Sequence, residues 1–166
     1  MRGIDVLKTI APETDDSLDE LTDALLAASR LLVAMSVDSI AQSDEVITVP
    51  QFRALILLSN RGPINLATLA GLLGVKPSAT GRMVERLVSA GLIDRLPHPT
   101  SRRELLVALT PRGRTVVDDV TAARRREIAR IVARMPVEER GGLVRALTAF
   151  TAVGEESNVD LESNVG

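Results

Sequence analysis

The chain has 166 residues, 45% of them hydrophobic, a formal net charge of −2, and no cysteine, tyrosine or tryptophan. That length holds one or two small domains around an aliphatic core, and the missing cysteines exclude disulfides, thiol redox sensing and thiolate-bound metals. With one histidine and no glycine-rich phosphate loop there is no nucleophile–base pair and no metal set, so neither an enzyme nor a cofactor is expected.

No stretch approaches ~18 uninterrupted apolar residues, so no membrane partner is expected. The start, Met1-Arg2-Gly3-Ile4-Asp5-Val6, lacks the apolar run of a signal peptide, and a cytoplasmic location is expected. Residues 1–16 mix charge with proline and read as a flexible arm. Ser17-Leu18-Asp19-Glu20 then fits a capping box, in which serine and glutamate satisfy the first free backbone amides. The helix it opens runs to about Ala41. Leu18, Leu21, Leu25, Ala28, Leu32 and Met35 alternate in spacings of three and four, an a/d seam that Leu26 and Val33 widen.

Thr48-Val49-Pro50-Gln51 is a second capping box, followed by an apolar stripe of Phe52, Leu55, Ile56 and Leu58 that ends near Gly62. Pro63-Ile64-Asn65 suits a short strand. Asn65 to Gly74 reads as a capped helix stopped by glycine, and Pro77 to Gly91 as a second one with proline at its first position. Leu92 to Leu96 and Leu105 to Leu109 form two strands around the loop Pro97-His98-Pro99-Thr100-Ser101-Arg102-Arg103. Two helices joined by a short turn, then a hairpin with basic residues near its tip, make a winged helix-turn-helix. Thr110-Pro111 caps a long amphipathic helix that Pro136 breaks. A last helix runs over about Val137 to Val153. The tail 155–166 is acidic, with little periodicity, and reads as disordered.

The fold class is therefore mostly α (α+β). Residues 48–111 are the DNA-binding module, and 17–47 with 112–154 the helical dimerisation region. The terminal helices carry more apolar surface than one copy buries locally, and a second copy related by a two-fold axis would cover it.

Charge is concentrated where this reading needs it. Residues 50–115 hold ten Lys or Arg against three Asp or Glu, a net of +7 that leaves −9 for the rest. On the second helix of the module, Ser78, Gly81, Arg82 and Glu85 share one face, opposite Ala79, Met83, Val84, Leu87 and Val88. Arg82 can fork onto guanine O6 and N7, or simply stay solvated. Gly81 either lets the helix approach the groove closely or has no role. Arg86 reaches phosphate or pairs within the protein. Lys76 is a poor cap, so the amides after it are open to a phosphate unless Ser78 takes them up. Arg102 and Arg103 suit a narrow, electronegative minor groove, and Arg95 braces the wing or touches phosphate. The expected contact set to double-stranded DNA is Lys76, Pro77, Ser78, Thr80, Gly81, Arg82, Arg86, Arg95, Arg102 and Arg103. His98 reads as a turn residue, and Arg124-Arg125-Arg126 as a solvated helix face. The competing class is a winged-helix module that binds protein without specific DNA recognition, which a gel shift at physiological salt separates.

These elements, with Arg82-Met83-Val84-Glu85-Arg86-Leu87-Val88-Ser89-Ala90-Gly91-Leu92-Ile93, Arg102-Arg103 and Leu106-Val107-Ala108-Leu109-Thr110-Pro111-Arg112-Gly113, resemble the MarR family of bacterial transcription regulators over roughly residues 18 to 153. Members typically carry an aspartate just before the two wing arginines, where this chain has Ser101, so the wing lacks that ion pair. At Gly81 the family more often has threonine or another side chain. The resemblance implies a homodimeric repressor or activator on a palindromic, inverted-repeat operator, with repression the reading taken and release by a small molecule common. It also implies an effector crevice where the dimerisation helices meet the DNA-binding lobe. Here Met35, Ser39, Phe52, Arg53, Ile56 and Val117 are expected to line it, apolar walls around one cation that suit a small organic anion. The same residues equally suit a closed core.

Overall fold

The computed structural model describes the backbone of residues 13–101 and 103–163 and the side chains of 17–101 and 103–155. The elements are α1 (Glu13–Ala41), α2 (Val49–Arg61), β1 (Ile64–Asn65), α3 (Leu66–Leu73), α4 (Pro77–Ser89), β2 (Ile93–Pro97), β3 (Leu105–Leu109), α5 (Pro111–Arg134) and α6 (Val137–Ser163). This is the mostly helical fold with a small sheet that the pattern predicts. A boundary between two compact units falls inside α5, between Thr121 and Ala122.

In the first unit the local signals act as expected, except that the box at Ser17 does not open α1, which already begins at Glu13. Thr48 accepts from the Gln51 amide, and the Gln51 side chain accepts from the Thr48 amide at 2.8 Å, which satisfies two amides that α2 leaves free. Asn65 caps α3 by accepting from the Thr68 amide at 2.8 Å. Gly74 ends α3 at φ 67, a left-handed conformation that costs glycine nothing. The sheet is antiparallel in the order β1-β3-β2, with Ile64 opposite Val107 and Arg95 opposite Val107 on the other side. Leu55 and Leu58 from α2, Leu69 from α3, Val84 and Leu87 from α4, and Leu92 and Ile93 close the core. Val116, Val117 and Val120 of α5 and Ile40 of α1 pack onto it. Each large aliphatic side chain so buried contributes roughly 1.5–3 kcal/mol.

The junction between hairpin and α5 is the tightest place described. The Thr110 amide donates to the Leu92 carbonyl at 3.1 Å. Its hydroxyl donates to the Gly91 carbonyl at 2.7 Å and accepts from the Gly113 amide at 2.9 Å, capping α5. A Cβ on Gly113 would lie 2.1 Å from the Leu92 carbonyl oxygen, so α5 can start here only with glycine at that position. Arg112 in the same turn forms an ion pair with Glu45 of the α1–α2 loop, its Nε at 2.9 Å.

Two boundaries depart from the expectation. Helix α1 begins at Glu13, so the last four residues of the expected arm are helical, while residues 1–12 lie outside the described residues. Helix α6 continues to Ser163 where disorder was expected from 155; beyond Gly154 no proline or glycine interrupts it before its end. The expected membrane incompatibility of α1 also needs a different argument. By length and composition alone Ser17–Ala41 is apolar enough to span a bilayer. Arg30 and Asp38 stand within it, however, and each charge would cost ~2.5–3.5 kcal/mol near a bilayer centre. In the second unit, Pro136 separates α5 from α6, and the Arg140 guanidinium closes the break by donating to the Ala133 and Met135 carbonyls at 2.9 and 3.0 Å.

Two helical glycines should respond oppositely to alanine. Gly113→Ala should destabilise the fold by ~1–3 kcal/mol or more through overpacking against rigid backbone. A Cβ at Gly81 meets only Leu66 Cδ2, at 3.9 Å, so Gly81→Ala should stabilise by ~0.5–1 kcal/mol. Urea unfolding of both variants tests this; similar midpoints would contradict it.

Candidate nucleic-acid interface

Helix α4 owes its exposed face to where its core stripe falls. Thr80, Val84 and Leu87, spaced by four and three, are buried. Lys76, Pro77, Ser78, Arg82, Glu85 and Arg86 are exposed, with Gly81 half-buried at the edge. Lys76 stands at the N-cap with no side-chain bond. Its carbonyl accepts from the Ala79 and Thr80 amides at 3.0 and 3.1 Å. That leaves the Ser78 N–H as a donor at the positive end of the helix dipole, suited to a phosphate oxygen.

Thr80 departs from the expected contact set. It has no exposed surface, and its hydroxyl donates to the Lys76 carbonyl at 3.3 Å. A threonine read as polar is here a core residue, its one polar atom satisfied by backbone, and it cannot touch DNA. The four-and-three spacing to Val84 and Leu87 was the available signal.

The arginines divide sharply. Arg82 and Arg86 flank a concavity of about 160 Å³ with Thr48, Gln51, Ala79 and Met83, and form no ion pair among the described residues. Arg95, on β2, is paired with Glu85 of α4 and so braces the hairpin against that helix. Arg103 is exposed in the hairpin loop, and with Gly81, Glu85, Arg95 and Leu105 it borders a second concavity of about 420 Å³. Arg102 lies outside the described residues. His98 is the turn residue expected: its Nδ1 accepts from the Thr100 amide at 3.2 Å, and its Nε2 stands 3.9 Å from Glu104. With Ser101 in place of an acid, the hairpin is held by its β ladder, the His98 turn and the Glu85–Arg95 pair.

The residues expected to line an effector crevice are placed differently from that expectation. Met35, Ser39 and Val117 are buried, Phe52 and Ile56 pack partly buried against the core, and Ser39 donates to the Met35 carbonyl at 2.7 Å. Arg53 turns toward α3, where its guanidinium donates to the Leu72 and Leu73 carbonyls at 3.3 and 3.4 Å. These are the last carbonyls of α3, which lack helical partners. The cation is thus committed to a helix end, and neither concavity includes any of the six. The sequence reading gave no part to Glu45, Arg112 or Gly113 in holding the module together; Gly113 in Thr110-Pro111-Arg112-Gly113, just inside a helix start, was the visible sign.

Comparison with known proteins agrees with this geometry. The sequence profile of the MarR family matches residues 47–105. The chain is 32% identical over 109 residues to the HTH-type transcriptional repressor Mb2911 of Mycobacterium bovis, covering 66% of this chain and 78% of that protein. The crystal structure of RV1404 from Mycobacterium tuberculosis is 74% identical, with a TM-score of 0.77 over 84% of this chain and 95% of that one. A MarR family protein from Bacillus stearothermophilus, 22% identical, has the same fold, with a TM-score of 0.77 over 86% of this chain and 98% of its own.

Thr80→Val keeps the shape and removes the hydroxyl. Affinity for duplex DNA should stay within about twofold while stability changes by ~1 kcal/mol; a tenfold loss of DNA affinity at unchanged stability would put Thr80 back in the interface.

Proposed function

The chain belongs to the MarR family of transcriptional regulators, and from that premise we propose that it is a homodimeric, sequence-specific repressor of an inverted-repeat operator. Its relatives are transcriptional regulators and not enzymes, and the winged helix-turn-helix is the DNA-binding part. The observation that carries the finer reading is Arg82, exposed and without an ion-pair partner among the described residues, on the face of α4 opposite its buried stripe. There it can fork onto a guanine in the major groove, while Ser78 and Lys76 meet phosphate and Arg103 lies beside the minor groove.

The dimer is supported by apolar surface in each unit. On α1, Leu18, Leu21, Leu26, Leu32 and Val33 are 38–59% exposed, and on α6, Leu143, Val144, Leu147 and Phe150 are 37–65% exposed. Helices this apolar are covered by a second copy in the proposed assembly, with 17–47 and 112–154 as the dimerisation region. Two copies of α4 then enter successive major grooves. A regulator of this kind acts in the cytoplasm, where the DNA is.

Release by a small organic anion belongs to the same reading. With Arg53 engaged by α3, Arg82 and Arg86 are two exposed cations that share one concavity with the apolar Ala79 and Met83. An anion held there shares Arg82 with DNA, so its affinity for the free protein exceeds that for the complex, as linkage demands.

Two outcomes follow. Full-length protein selecting from random duplexes should enrich an inverted repeat with half-sites about 10 base pairs apart, and Arg82→Ala should lose ~1–3 kcal/mol and relax one position per half-site. Enrichment of a lone half-site would remove the dimeric reading. Salicylate titrated into the complex should release wild type and Arg53→Ala alike and release Arg86→Ala far less; equal release from all three would remove that binding place.

A further inference from the structure

Helix α4 carries a carboxylate on the side that would face DNA. Glu85 follows Arg82 by three residues, about 60° around an ideal helix axis, and its side chain is 62% exposed. Between two rows of phosphates a lone carboxylate is repelled. Arg95 of β2 offsets this by pairing with Glu85 Oε1, which cancels the charge and fixes the side chain in one orientation. Glu85 Oε2 has no hydrogen-bond partner among the described residues. An ion pair this exposed adds little to stability, and neither partner belongs to the core. What the pair does provide is an immobilised group beside Arg82 that only accepts hydrogen bonds.

Resting on the reading of α4 as the major-groove helix, we propose that Glu85 is a specificity-determining residue that selects a cytosine in each half-site, with Arg95 as its positioning partner. A carboxylate has acceptors and no donor. Cytosine offers the major groove its N4 amino donor, whereas guanine offers O6 and N7 and thymine offers O4, all acceptors that repel Glu85. Adenine presents a donor beside an acceptor and is intermediate. Glu85 thus works more by excluding wrong bases than by adding affinity. Together with Arg82, which selects guanine, it makes the two charged residues on this face read opposite members of G·C pairs.

The test is selection by the full chain from random duplex DNA at fixed salt, with Glu85→Gln and Arg95→Gln beside wild type. Glutamine keeps the size and adds a donor, so Glu85→Gln should lose the cytosine at one position per half-site. Its preference for the selected sequence over an unrelated duplex should fall about tenfold. It should also bind the unrelated duplex more tightly, because Arg95 becomes free to meet phosphate. Arg95→Gln should bind every duplex more weakly and still favour the cytosine, but less sharply than wild type, because Glu85 is no longer held in one orientation. If Glu85→Gln selects the wild-type sequence with the wild-type preference, the inference is overturned while the regulator reading stands. The same holds if Arg95→Gln alone loses the cytosine. A wild-type protein that selects no sequence overturns both.

Discussion

One carbonyl group, that of Leu92, is where the DNA-binding module is tied together. It accepts the Thr110 amide, and Gly113 packs so close to it that a single added carbon would collide. Thr110 at the same point holds the Gly91 carbonyl and caps α5. The end of the recognition helix, both legs of the wing and the first turn of α5 therefore share one set of short backbone contacts. Backbone gives way far less readily than side chains, so the angle between recognition helix and wing is fixed independently of what occupies the wing tip. That matters because Ser101, just before the two wing arginines, offers no charge to pair with them.

Excess positive charge in the module is divided between cations that hold the fold together and cations left exposed on its surface. Arg53 is taken up by the carbonyls that end α3, Arg95 by Glu85, and Arg112 by Glu45. Each such contact crosses between elements, and the three together fix α3, the wing and the start of α5. Lys76, Arg82, Arg86 and Arg103 remain exposed on α4 and the wing. A count of basic residues thus overstates the charge available to phosphate, and the difference lies in which cations find carbonyl or carboxylate partners. Of the module's cations left without a partner among the described residues, Lys76, Arg82, Arg86 and Arg103 lie on α4 and the hairpin, and Arg61 and Arg114 on α2 and α5.

Of the residues expected to line an effector crevice, Met35, Ser39 and Val117 are buried, Phe52 and Ile56 are half-buried against the core, and Arg53 is exposed with its guanidinium on the end of α3. An apolar wall with one cation has the composition of a ligand site, and it has the composition of a core edge with a helix-capping arginine as well. Only the direction of the Arg53 guanidinium separates them, and it points at α3.

Sequence alone determined the element order, both capping residues Thr48 and Asn65, the glycine stop at Gly74 and the hairpin position. These rest on interactions within four or five residues, so local chemistry specifies them. It also located the positive module and the buried stripe through Val84 and Leu87, because helical periodicity is visible in one dimension. Tertiary structure decided the rest. Thr80 went inside because its hydroxyl is satisfied by its own helix, and Arg53, Arg95 and Arg112 found partners 20, 10 and 67 residues away. No local pattern encodes which of several distant carbonyls or carboxylates a long, flexible cation will reach; that is settled only when the packed elements bring one of them within hydrogen-bond distance.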